Sequence, residues 1–203
     1  DWSSDVCSSD LHFCCGHTHT AIDEAVRIGA EQGRDRKVAG IDVETYGPGL
    51  AIVKERSPKT PFQARFSLNY CIAAGLTEGR VGLAQFSADR FGPDGVRIPA
   101  LADSMSRINI VVSDDLTARY PAAWPVRMKV RYEDGTVASG ESNYPRGNPE
   151  NPVSTAELEE KFTGLIVPRI GDFRPALEQV ARQTLGVPVR IGGIQAGTHT
   201  LGD

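Results

Sequence analysis

No apolar run among the 203 residues approaches the ~20 needed to cross a bilayer as a helix, so the sequence calls for no membrane partner. Cysteine is scarce: four in all, and Cys14, Cys15 and Cys71, the three beyond the first eleven residues, match neither a disulfide framework nor an iron–sulfur pattern. A reducing, cytoplasmic setting is the expectation. Neither sign of charge dominates, with 22 Lys and Arg against 26 Asp and Glu, a formal net charge of −4. That excludes the basic footprint of a nucleic-acid binder. There is no internal repeat.

The opening stretch, DWSSDVCSSDL, lacks every structural signature. Its two Ser-Ser-Asp blocks and isolated Trp2 give no period of 2 or 3.6, and no signal-peptide order of charged, apolar and cleavage regions. A common short-read sequencing adapter, read in frame, translates to these eleven residues. They are expected to be translated adapter, with the true gene beginning its contribution near His12. Without Asp1, Asp5 and Asp10, 22 basic residues face 23 acidic ones, a net charge of −1.

What is present alternates between helix and strand signals. Thr20 to Gly33 reads as a helix with Thr20 as N-cap and Ile22, Ala25, Val26 and Gly29 on one face. Ile41, Val43 and Thr45 alternate with Asp42 and Glu44, a half-buried strand ending at Gly47-Pro48-Gly49. Thr60, Pro61 and Gln63 form a capping box for a helix expected to run to about Gly75. Arg107 to Val112 is strand-like. Val126, Met128, Val130 and Tyr132 alternate before Asp134-Gly135, which predicts a hairpin into Thr136 to Tyr144. The segment PRGNPENP, too rich in proline for a ladder, marks a boundary between residues 12–150 and 151–203. Beyond it Ser154 and Glu157 make another capping box, with Leu158, Phe162, Leu165 and Ile166 as a stripe. Phe173, Leu177, Val180 and Leu185 continue the helical pattern. Nothing after Val187 gives a clear element.

The sharpest cluster is HFCCGHTHTAID, with Cys14, Cys15, His17 and His19 in six residues. As a zinc site it suffers from adjacent cysteines and the lack of a second ligand pair. As structure, the cysteines pack as small hydrophobes and the histidines cap a helix. As a binding site, the polar side chains sit where free N–H groups and the helix dipole favour carboxylates, an arrangement suited to an acidic substrate. Arg65 offers a planar guanidinium for a carboxylate, or a solvated helix face. Ser67 could bond substrate or backbone, Tyr70 reads as core, and Arg146 lies on a Pro-rich loop that could close a cleft or stay on the surface.

CCGHTHTAIDEA, TPFQARFSLNYCIAAGL, VRYEDGTVASGESNYPRGNPENPVS and LEEKFTGL, in that order and spacing, resemble the MmgE/PrpD family of 2-methylcitrate dehydratases and cis-aconitate decarboxylases. The resemblance runs from about His12 to Leu185. It implies an α+β fold: a lid-type domain with an antiparallel sheet and flanking helices, then C-terminal helices returning to an all-helical domain outside this sequence. It implies an intact parent that is a homodimer and eliminates water from a hydroxylated di- or tricarboxylic acid, with no cofactor and no metal. The isomerase, epimerase and decarboxylase reactions of the family, or a non-catalytic carboxylate-binding module, are the alternatives.

Residue by residue, the resemblance places a family lysine at Asp10, inside the adapter, and Cys15 where decarboxylase relatives carry a catalytic histidine. A thiol does not replace an imidazole near neutral pH, which argues against cis-aconitate decarboxylation. His19 takes the family's Thr-His position as proton donor or ligand, and His19 and Cys15 are the expected catalytic residues. His17, Arg65, Ser67 and Arg146 are the expected substrate contacts.

Overall fold

The structure, a computed structural model, describes residues 11–170 and Gln179. The adapter-like residues 1–10 and the continuation through Phe173, Leu177, Val180 and Leu185 lie outside the described residues. The chain divides into two compact units after Pro152.

The first unit opens with a 3-10 turn, Gly16–Thr18, that runs directly into helix α1, His19–Gln32. The helix therefore starts before Thr20. Thr18 holds the cap position but turns its hydroxyl back to the Cys15 carbonyl at 2.8 Å, tightening the turn instead of capping α1. Ile22, Ala25 and Ile28 form the buried stripe, and Gly33, at φ +94°, ends the helix with its N–H on the Gly29 carbonyl.

Strand β1, Val38–Thr45, buries Ile41, Val43 and Thr45 and turns Asp42 and Glu44 outward, as the period of two requires. The Gly-Pro-Gly stretch, expected as a turn, instead begins a short helix, α2, Gly47–Ile52. Proline at its second position costs no hydrogen bond there.

The helix expected over 60–75 is two. Thr60 accepts the Gln63 N–H at 3.2 Å and Pro61 starts α3, Pro61–Ala64; then Ser67, extended at φ −108°, caps α4, Leu68–Glu78, by accepting the Tyr70 N–H at 3.1 Å. A serine hydroxyl that competes for backbone N–H groups restarts the helix where apolar periodicity alone would run through. Leu68 to Leu76 are all buried, so α4 is a core helix apolar on every side.

Two-residue strands β2, Phe91–Gly92, and β3, Gly95–Val96, make a small hairpin, and α5, Pro99–Ser106, leads into β4, Ile108–Val112. After α6, Asp114–Thr117, come β5, Val126–Tyr132, and β6, Val137–Ser142, the predicted hairpin.

The main sheet has the order β4-β1-β5-β6. β1 pairs antiparallel with β5 but parallel with β4, Ile41 facing Ile108, so the sheet is mixed and not antiparallel as expected. A parallel neighbour requires a crossover, and residues 46–107, with α2 to α5, supply it. The α+β class stands. One face of the sheet carries the core, where Ile41, Val43, Val126, Met128 and Val130 are buried. The other is a lattice of charges: Arg127 binds Glu44, Glu141 (2.8 Å) and Asp115 (3.0 Å), and Arg131 binds Asp42. Exposed pairs of this kind contribute little to stability and keep the face wet.

In the second unit Ser154 and Glu157 form the expected reciprocal box, Ser154 N–H to Glu157 Oε2 at 2.8 Å and Glu157 N–H to Ser154 Oγ at 3.3 Å. It starts α7, Thr155–Ile170, on which Leu158 and Phe162 are exposed.

Candidate active site at the start of the first helix

The peptide before α1 is strapped to the corner between α3 and α4. Cys15 N–H donates to the Arg65 carbonyl at 3.0 Å and Phe13 N–H to that of Val81 at 3.3 Å. This clamp fixes how the 3-10 turn and the start of α1 present His17 and His19, and it presents them differently.

His17 is half-buried. Its Nδ1 lies 2.7 Å from the Tyr46 hydroxyl and its ring stacks on Trp124 with centroids 4.7 Å apart. Tyr46 in turn stacks on Tyr120 at 5.1 Å. Three aromatic rings from two separate segments thus fix the imidazole, while Nε2 has no hydrogen-bond partner among the described residues. Burial, helped by repulsion from His19, lowers the His17 pKa from the ordinary imidazole value. Burial also raises the Tyr46 pKa, so the phenol keeps its proton.

His19, by contrast, is 1% exposed. Its Nε2 lies 3.3 Å from the Cys14 carbonyl and its ring stands edge-on to His12 at 5.2 Å. Next to it Thr20 Oγ1 is buried without a hydrogen-bond partner among the described residues, an unmet demand in the first turn of α1.

The two central thiols differ as well. Burial would raise the Cys14 pKa, but hydrogen bonds with Cys71, His19 and Thr18 outweigh it and lower it well below the ordinary thiol value. Cys15 is raised, chiefly by burial, with Cys14 beside it adding to the effect. Cys15 is therefore a protonated thiol at neutral pH.

Of the other predicted residues, Arg65 is exposed, its guanidinium 5.6 Å over the Phe86 ring, and joins the site through its backbone carbonyl. Ser67 is fully buried and its hydroxyl is taken up in capping α4. Tyr70 is core: it packs on Phe91 at 5.3 Å, donates to the Gln85 carbonyl, and burial pushes its pKa up to about 12. Arg146 reaches α1 by its backbone: its N–H donates to Asp23 Oδ2 at 2.7 Å, and its guanidinium reaches Asn151 Oδ1 at 3.3 Å. Asp23 Oδ1 meanwhile holds His12 Nε2 at 2.7 Å, so one carboxylate ties the Pro-rich loop to the start of the site.

Sequence reasoning missed Asp23, Tyr46, Tyr120 and Trp124. The Asp of Ala-Ile-Asp was inside the motif and could have been weighed. The aromatics reach His17 only through the fold. Among the described residues no three His, Cys, Asp or Glu side chains converge as ligands of one metal ion would.

The MmgE/PrpD C-terminal domain model matches residues 12–185. The chain belongs to the MmgE/PrpD family. The match starts at His12 and takes in every predicted site residue as well as Asp23, Tyr46, Tyr120 and Trp124. Membership places the chain in a family of dehydratase and lyase type. No curated protein matches the chain. Within this MmgE/PrpD domain, the elements that meet at the start of α1 are the α3–α4 corner, Tyr46, the loop from Tyr120 to Trp124 and the loop bearing Arg146.

One consequence of the His17 setting is measurable by itself. A histidine whose folded pKa is depressed binds fewer protons folded than unfolded, so stability rises with pH; the contribution is whole above the unfolded value, about 6.5, and is lost as pH falls through the folded value. The urea midpoint should drop as pH is taken from about 7 to about 5, and His17→Gln should flatten that drop. Equal slopes in both proteins would show that His17 is not held neutral.

Proposed function

We propose that the intact protein is a metal-independent hydro-lyase that eliminates water from a hydroxylated di- or tricarboxylic acid, with 2-methylcitrate or citrate as the substrate type. The single observation carrying this reading is His17: an imidazole kept neutral, fixed by Tyr46 and Trp124, with Nε2 uncommitted. With Nδ1–H donated to the Tyr46 oxygen, Nε2 is the free base. It takes the proton next to a carboxylate, and the imidazolium so formed returns it to the departing hydroxyl, releasing water.

His19 and Cys15, the residues first expected to be catalytic, take supporting parts in this proposal. His19 is too buried to meet a substrate and holds the Cys14 carbonyl; Cys15 lines the turn as a neutral thiol. In this proposal Arg65 and Arg146 bind the substrate carboxylates, and the loop held by Asp23 brings Arg146 to α1. A cytoplasmic homodimer, with residues 12–150 as its lid and 151–203 leading back to a helical domain, completes the proposal.

The test is dehydration of citrate and 2-methylcitrate by the full-length gene product, read as formation of the unsaturated acid, alongside calorimetric titration of the same acids. His17→Ala should lower turnover by roughly 10²–10⁴-fold, the usual contribution of a positioned acid–base. Turnover unchanged in His17→Ala would remove His17 from the chemistry. Tight binding without turnover would favour a carboxylate-binding module.

A further inference from the structure

Two cysteines that the proposed proton transfer does not use sit at one corner of the fold. Cys14 precedes the 3-10 turn and is half-buried; its Sγ is 3.0 Å from Thr18 Oγ1. Cys71 sits on α4, fully buried, with Sγ 3.7 Å from the Ala64 carbonyl. The clamp of Cys15 N–H on the Arg65 carbonyl draws the peptide onto this corner, beside the adjoining Ala64 carbonyl that Cys71 meets, and Cys14 packs against the core cluster that contains Cys71. All three thiols beyond the first eleven residues are free.

We propose that Cys14 and Cys71 are a peroxide-sensitive thiol pair that closes to a reversible disulfide between the start of the site and α4.

The roles follow from the surroundings. Cys14 is the less buried residue of the two, and Thr18 and His19 favour its thiolate, the form that attacks an oxidant. Cys71 has no solvent access, and burial keeps it protonated. Hydrogen peroxide is the oxidant class. The Cys14 thiolate attacks one peroxide oxygen, the O–O bond breaks, and hydroxide leaves and takes up a proton as water; Cys14 becomes a sulfenic acid. The Cys71 sulfur then attacks Cys14, the S–O bond breaks, and the leaving hydroxide departs as water with the proton Cys71 gives up. Two thiols lose two electrons in total, and peroxide is reduced to two waters.

The disulfide would take Cys14 away from Thr18 and bind the turn carrying His17 to the core helix. Oxidation and the presentation of the turn would then be one event. Neither step depends on the reaction proposed for His17.

The experiment is peroxide treatment of the unmutated chain, alkylation, and peptide mapping by mass spectrometry. Residues 1–27 and 66–80 fall in separate tryptic peptides, so a Cys14–Cys71 bond appears as a cross-linked pair that dithiothreitol undoes. Cys7→Ser with Cys15→Ser, leaving only the proposed pair, should give the same bond with loss of both thiols together. Cys71→Ala should stop the chemistry at a sulfenic acid on Cys14 that dimedone traps, and Cys14→Ala should slow peroxide consumption at least tenfold. Two alkylatable thiols after peroxide in the doubly substituted chain would overturn the proposal, as would a Cys14–Cys15 or an intermolecular bond in the unmutated chain. The mapping of the unmutated chain decides even if an alanine variant does not fold.

Discussion

Gly29→Ala should destabilise the first unit by about 2 kcal/mol, although alanine in the interior of a helix ordinarily gains about 1 kcal/mol over glycine. The reversal comes from where Gly29 points. A Cβ there would stand 2.3 Å from the backbone carbonyl oxygen of Leu76, an atom that cannot swing aside, and Gly75 on the facing helix is also close-packed, with the Ile22 carbonyl at 3.2 Å. α1 and α4 touch backbone to backbone, so a methyl group must push two core helices apart. Urea unfolding followed by circular dichroism should show a lower midpoint at unchanged slope. Gly164→Ala on α7, where a Cβ meets nothing among the described residues within 4 Å, is the control and should be neutral or stabilising. A Gly29→Ala protein as stable as the parent would mean that the helices are not in such close contact.

Arg27→Met should cost a similar amount, about 2 kcal/mol, for the opposite reason. Glu24 is 7% exposed on α1 and binds Arg27, which also donates to the Ser139 carbonyl of β6 at 3.2 Å and to Glu31 at 2.6 Å. A Cβ on Gly140 would collide with both Glu24 and Arg27, so the strand is shaped around this ion pair. Removing the arginine leaves a carboxylate desolvated and unpaired. Because Arg27 is partly in solvent, the loss should be less than the 3–5 kcal/mol of a fully buried pair. The double substitution Glu24→Met with Arg27→Met should recover most of it, since an apolar pair leaves no orphaned charge. A double-mutant cycle in urea measures the recovery, and purely additive losses would show that the two side chains do not depend on each other.

Sequence patterns read local order well here because local physics wrote it. The alternation in Ile41, Val43 and Thr45, the Asp134-Gly135 turn, and the Ser154 box each act within a few residues, and each appears where expected. The parallel pairing of β1 with β4 could not be read, because it is decided by which strand a long crossover returns to. Ser67 breaks a helix that hydrophobic periodicity would continue, a hydroxyl outcompeting a weak preference. At the candidate site, HFCCGHTHTAID pointed to the turn before α1, but not to which histidine would keep a ring nitrogen without a hydrogen bond there. That depends on Tyr46 and Trp124, brought to His17 from other parts of the chain.

The sheet order also dictates a sequence of events during folding. The β5–β6 hairpin joins residues separated by one short turn, whereas β4 can meet β1 only after residues 46–107 have been brought back, Ile41 opposite Ile108. Closing so long a loop costs entropy before any contact repays it, so the hairpin and its pairing with β1 form a nucleus and the edge strand docks late. Until then β1 has an open edge, and the peptide bearing His17 has no finished α3–α4 corner to be clamped on. The part of the molecule that would meet a substrate is thus among the last to be assembled.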